Sequence, residues 1–296
     1  MNEEEITVAN PMRSLLWVPG NLKAKITEAL ACHADCIVLD LEDTVPLSEK
    51  IVARNMVVEA IQTAKPGRKL IGVRINSWQS PFAVDDVKAV IKARPDIIRL
   101  PKCNAPEEMQ KADKLMGEIE AEHGIPVGST KVIVSIESAL GLINAFPIAK
   151  SAKRIIGLGL GVEDYTTDLK TVRSTKGLEI ELLYGRAHLV VAARAAGVMA
   201  IDGAFLDMQD EEGLRAETQL IKQLGFDGKG LVHTNQISVV HTVFAPTEKE
   251  VAFAQRVVQA FNQAEKEGSF YVFVDGKLVD PPVLAKAQRI LDLSGA

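Results

Sequence analysis

The 296-residue chain reads as an α/β protein, a closed (β/α)8 TIM barrel with a C-terminal helical and hairpin extension. Three observations predict it. Short β-rich runs alternate with longer amphipathic runs up to residue 245, and eight such pairs spell parallel strands joined by helices. Eight repeats in that length suit a closed barrel better than an open doubly wound sheet. Charged and polar residues gather at the C-terminal ends of the β-rich runs, the end at which barrels build their sites.

The predicted strands are RSLLWVP (13–19), DCIVLDLE (35–42), KLIGVRIN (69–76), DIIRLPK (96–102), KVIVSIE (131–137), RIIGLGLG (154–161), VMAIDG (198–203) and GKGLVH (228–233). Each is mostly apolar, as a strand covered on both faces must be. Helical patterns fall at 47–64, 82–93, 105–123, 138–150, 178–196 and 211–224. The last opens on acids and closes on LGFDG, the expected start and stop signals. No linker rich in Gly, Pro or Ser divides residues 1–245, which form the predicted barrel domain. Residues 246–296 read as an extension: a long helix, a hairpin in SFYVFVDGKLVD turning at Asp275-Gly276, and a short final helix.

A net charge of -5 argues against a nucleic-acid partner. No apolar run is long enough to span a bilayer, and the acidic start MNEEEITVANP lacks the features of a signal peptide, so a cytoplasmic protein is expected. Cys32, Cys36 and Cys103, an odd number, read as reduced packing residues. The run GLGLGVED is G-x-G-x-G after the sixth strand and not a dinucleotide fingerprint. Its Gly159 and Gly161 suggest close backbone approach, with amides aimed at an anion.

The strand ends supply Asp40, Glu42 and Asp43, Arg74 and Asn76, Lys102, Glu137, Glu163 and Asp164, Asp202 and His233. A charge closing a buried strand is costly unless it is paired or bound to metal. Glu137 and Asp164 end neighbouring strands, and two carboxylates plus waters is a common protein share of a Mg²⁺ site. The alternative is that both acids pair with Arg74 and Lys102. Arg74 suits a planar carboxylate, and equally a structural ion pair. His233, a lone strand-end histidine, reads as packing or capping.

The segments RSLLWVPG, VLDLEDTVPLSEKIVAR, VRINS, RLPKC, VIVSIESALGLINA, LGLGVEDYTTDL, AARAAGVMAIDGAFLDMQDEEGL and LIKQLGFDGKGLVHTNQI resemble the citrate lyase β-like and malyl-CoA lyase aldolases. The resemblance spans nearly the whole chain and implies a (β/α)8 fold. It implies Mg²⁺ on Glu137 and Asp164, a substrate carboxylate on Arg74, and the same carboxylate held by backbone at Gly161, Val162 and Glu163. Glu42 and Asp43, with Lys102 beside them, would order metal waters and Arg74. Asp280, just before Pro281-Pro282, matches the catalytic aspartate of the malyl-CoA lyase branch, on a lid that closes over a neighbouring subunit. The implied reaction is cleavage of citryl-acyl carrier protein or citryl-CoA to oxaloacetate and an acetyl thioester, as the β subunit of citrate lyase with α and γ partners, in a homotrimer. The runner-up is a stand-alone lyase for malyl-CoA, methylmalyl-CoA or citramalyl-CoA. A non-catalytic scaffold subunit is the third reading.

Overall fold

A computed structural model describes residues 12–64, 69–174 and 179–294. The acidic N-terminal run and the predicted start of a helix at Leu178 lie outside them. Eight parallel strands close into a barrel in sequence order. They are β1 Ser14–Pro19, β2 Cys36–Asp40, β3 Leu70–Arg74, β4 Ile97–Leu100, β5 Lys131–Ile136, β6 Ile155–Leu160, β7 Met199–Phe205 and β8 Gly228–Leu231. Pairing of Leu15 with Gly230 shuts the ring. Met12, Leu15, Cys36, Val38, Ile97, Ile133 and Ile201 form a buried apolar cluster, on which Trp17 packs.

The helices are α1 Lys23–Ala31, α2 Lys50–Thr63, α3 Ala83–Ala93, α4 Pro106–Glu122, α5 Ala139–Ile143, α6 Ala145–Ala149, α7 Val162–Asp168, α8 Ile180–Ala196, α9 Glu211–Leu224, α10 Ile237–Phe244, α11 Glu248–Lys266 and α12 Pro281–Ser294. Their ends follow local chemistry. Pro106 opens α4, where its missing N–H costs nothing, and Glu108 reaches back to the Asn104 amide at 2.6 Å. Asp210 caps α9 through the Gly213 amide at 2.8 Å, and Gly225 ends it at φ 102°, a left-handed angle that favours glycine. The expected helix over 138–150 is two short helices, α5 and α6, which meet at Asn144 (φ -91°, ψ 7°). A further helix, α7, occupies 162–168, directly after the β6 glycines.

Residues 12–240 form one compact unit, and residues 241–294 belong to a second, so the division lies inside α10, slightly before the expected boundary at 245/246. Within the second unit, α11 and α12 pack with β9 Val272–Val274 and β10 Lys277–Val279 around Ala254, Val257, Phe261, Val279 and Ala287. The hairpin turns at Asp275-Gly276, both at positive φ (50° and 74°), as a two-residue connection of this sequence favours. No described helix is long and apolar enough to cross a membrane.

Candidate active site

The C-terminal ends of the barrel strands surround a cavity of about 280 Å³, lined among others by Trp17, Arg74, Arg99, Ser135, Glu137 and Asp164. Glu137 and Asp164 also line a second cavity of about 420 Å³ with Lys102, Asn104 and Ser138. The two carboxylates therefore stand where the cavities meet.

Glu137 follows β5 directly and is only 6% exposed. Its Oε2 is buried without a hydrogen-bond partner. Burial raises the Glu137 pKa to about 7; the Asp164 carboxylate pushes it the same way, while Arg74 and Arg99 oppose the shift. Glu42 shows the same pattern. Burial first, then Asp43 and Glu137, lift it to about 8 against Arg74 and Lys102. Its Oε2 lies 3.2 Å from Arg74 Nη1 but outside hydrogen-bond geometry, so that oxygen is also unpartnered. Two buried carboxylate oxygens without donors are rare in a finished fold.

Arg74 is already engaged. Its Nε and Nη2 donate to the two oxygens of buried Asp40 at 2.6 and 2.7 Å, and Nη1 donates to Asp43 at 3.2 Å. The Glu42 amide (2.9 Å), the Thr44 amide (3.1 Å) and the Thr44 hydroxyl (2.6 Å) all donate to Asp40. Burial alone would raise Asp40, but the Arg74 charge and bonds hold it below its usual value. The fork expected to grip substrate thus grips the end of β2 and, through Asp43, the loop after it, which buried Lys50 also pins through the Leu41 and Glu42 carbonyls at 2.7 and 2.6 Å. Lys102 lies 3.0 Å from Asp43, 3.2 Å from Glu42 and 3.9 Å from Asp164. It holds φ 51°, a left-handed angle that is uncommon for a lysine and found more often at functional sites.

The glycines of β6 and its end act differently from expectation. A Cβ on Gly161 would overlap the Glu137 side chain, and one on Gly159 would overlap the Arg99 guanidinium. They make room for side chains. The Gly161 amide donates to the Ile136 carbonyl at 2.9 Å, which removes it as an anion donor, although Gly161 still lines the cavity. Val162 and Glu163 begin α7, whose first amides have no side-chain cap. Arg173 fixes that start, donating to Glu163 at 2.8 Å and to the Ala204 carbonyl at 3.0 Å.

Three other strand-end residues serve the fold. Asn76 is tied to Asp86 through its amide (3.0 Å) and side chain (2.6 Å). His233 caps a short turn by accepting from the Asn235 amide at 3.3 Å and does not line the cavity. Asp202 reaches the cavity wall but is locked to Arg186 (3.0 and 3.1 Å) and Lys229 (2.9 Å), with Glu217 bonded to both cations. Asp280 caps α12, accepting from the Val283 amide at 3.2 Å. All three cysteines are free, with Cys36 and Cys103 buried.

Arg99 was not singled out from the sequence, nor were Trp17 and Ser135. Arg99 is 3% exposed, donates from Nε to Ser135 at 2.6 Å, and leaves Nη1 without a partner. Burial lowers it to about 10; Arg74 also pulls it down while Glu137 opposes. The Trp17 ring lies 4.7 Å from the Arg74 guanidinium carbon and 5.6 Å from that of Arg99.

This strand-end pocket sits inside a region, residues 13–234, that matches the family described as HpcH/HpaI aldolase/citrate lyase. The chain belongs to that family. Membership of the HpcH/HpaI aldolase/citrate lyase family makes it a carbon–carbon lyase by class. It is 46% identical over its full length to a citrate lyase subunit beta of Leuconostoc mesenteroides, covering 96% of that protein. A (3S)-malyl-CoA thioesterase of Cereibacter sphaeroides is 33% identical over 96% of the chain and 94% of that relative. Among solved structures, the CitE protein of Mycobacterium tuberculosis in complex with magnesium, acetoacetate and coenzyme A superposes with a TM-score of 0.79 at 26% identity, over 98% of this chain and 100% of that one.

Proposed function

We propose that this chain is the magnesium-dependent β subunit of a citrate lyase, splitting a citryl thioester carried on acyl carrier protein or coenzyme A into oxaloacetate and an acetyl thioester. The observation that carries the reading is the buried, unpartnered oxygen of Glu137 beside Asp164, at the mouth of this family's barrel. The residues suit a hard divalent cation. Asp40, Glu42, Asp43, Glu137 and Asp164 outnumber Arg74, Arg99, Lys102 and Lys50, and a divalent ion would offset the excess negative charge. Its donors are oxygens, and no described cluster of three or more His, Cys, Asp or Glu competes for a softer metal.

Glu137 and Asp164 would hold the ion, which supplies Lewis-acid polarisation of the oxygen that becomes the keto group. Arg74, anchored by Asp40, keeps Glu42 and Asp43 beside that centre and retains one Nη2 proton for a substrate carboxylate. The uncapped Val162 and Glu163 amides offer the same carboxylate further donors. Leu160, Ile201 and Leu206 give the cavity apolar walls that exclude water from the thioester enolate. Asp280 of a neighbouring subunit is the candidate to exchange a proton with that enolate.

A stand-alone lyase for a freely diffusing malyl- or citramalyl-CoA is the second reading, favoured by the malyl-CoA thioesterase relative. The deciding assay offers purified protein and Mg²⁺ the citryl, malyl and citramalyl thioesters, on acyl carrier protein and on coenzyme A. Turnover confined to citryl substrates is expected; turnover confined to malyl-CoA or citramalyl-CoA would replace the first reading with the second. Arg74→Lys keeps the charge but loses the fork on Asp40. It should lower kcat/KM by a barrier of roughly 2 to 4 kcal/mol, and an unchanged value would leave Arg74 a purely structural role.

A further inference from the structure

The two guanidiniums that line the inner cavity are not equivalent. Arg74 already makes two hydrogen bonds to Asp40 and one to Asp43, with Glu42 at ion-pair distance. Arg99, its register partner on β4, has no carboxylate within ion-pair distance among the described residues. A guanidinium taken out of water with an empty donor is strongly disfavoured unless something completes it. The surroundings are nonetheless built to keep it there: Ser135 orients Nε, the Trp17 ring lies alongside, and Gly159 leaves the space that the group fills. A buried cation held in place, facing a cavity and lacking its anion, is half of a binding site.

We infer that Arg99 recognises the second carboxylate of the oxo-acid half of the substrate, and so selects oxo dicarboxylates over oxo monocarboxylates. The inference rests on the lyase reading above. In that reaction the bond between the carbinol carbon and the thioester's α-carbon breaks. The hydroxyl proton goes to a base, the oxygen's electron pair forms the keto group, and the departing enolate takes up a proton. All candidate thioesters share the hydroxyl and its adjacent carboxylate, which the Glu137, Asp164 and α7 end of the cavity serves. They differ in the oxo acid released: a citryl thioester yields oxaloacetate with two carboxylates, whereas malyl and citramalyl thioesters yield glyoxylate and pyruvate with one. Arg99 is the uncommitted charge left for the additional carboxylate.

The test uses the full-length protein with Mg²⁺ and compares wild type, Arg99→Met and Gly159→Ala. The last leaves Arg99 in the sequence but crowds its guanidinium. Calorimetric titration with oxaloacetate and pyruvate measures binding, and kcat/KM is measured for citryl and citramalyl thioesters. Wild type is expected to prefer oxaloacetate, and the preference for the dicarboxylic member of each pair should fall about 30- to 100-fold in Arg99→Met and in the same direction in Gly159→Ala. Equal binding of the two acids by wild type would overturn the assignment. So would loss of both members of a pair together in the variants, or of neither. Should wild type cleave none of the thioesters, the lyase reading falls, and the oxo-acid titration still decides the role of Arg99. Should Arg99→Met fail to fold, Gly159→Ala carries the comparison.

Discussion

Glu137→Gln is expected to lose at least about 100-fold in kcat/KM and to bind Mg²⁺ about 10- to 100-fold more weakly, since the metal's polarising effect amounts to several kcal/mol. The amide keeps the shape of the carboxylate and removes the charge, so a packing defect does not enter. Stability gives a reading independent of turnover. Magnesium should raise the unfolding temperature of wild type, because a ligand that binds only the folded state stabilises it in proportion to the logarithm of its concentration. The variant should respond little. Without metal the variant should be at least as stable as wild type, because Glu137 Oε2 is buried with no donor. Wild-type turnover together with a wild-type magnesium response in Glu137→Gln would remove Glu137 from the metal site.

Lys229→Met is expected to cost about 3 to 5 kcal/mol of folding stability, the scale for removing one member of a buried ion network. Lys229 and Arg186 are fully buried, as is Asp202, and the two cations share Asp202 and Glu217. Arg186 and Lys229 hold Asp202 well below the usual carboxylate range against the opposing effect of burial, so the acid stays charged when Lys229 is gone. Equilibrium denaturation measures the loss. Adding Glu217→Gln should recover part of it by removing one of the two stranded negative charges. A loss under about 1 kcal/mol in the single variant would mean that Arg186, with Arg173 at 3.3 Å from Glu217, balances the acids.

Much of the barrel is legible in the sequence because strands covered on both faces cannot hide: runs such as KVIVSI and CIVLD have few other places to go. The helices α5 and α7 were harder, since five and seven residues carry too few turns to show a period. At the site, Glu42, Asp43, Arg74, Lys102, Glu137 and Asp164 were visible because each closes an apolar strand or follows one within four residues. Arg99 was not, because it lies inside the four-residue β4 between Ile98 and Leu100, where sequence alone does not say which way a side chain faces. Nor does spacing reveal that Arg74 is claimed by Asp40. That follows from the pairing of β2 with β3, a contact between residues far apart in the chain.

Gly159 and Gly161 carry a consequence for how this sequence can drift. They have no functional group, yet a single added methyl meets the Arg99 guanidinium on β4 at position 159 and the Glu137 side chain just after β5 at position 161. Positions 159 and 161 should therefore tolerate random substitution as poorly as the charged residues they shelter. A saturation screen that scored only reactive side chains would place two of the barrel's most sensitive codons among its silent ones.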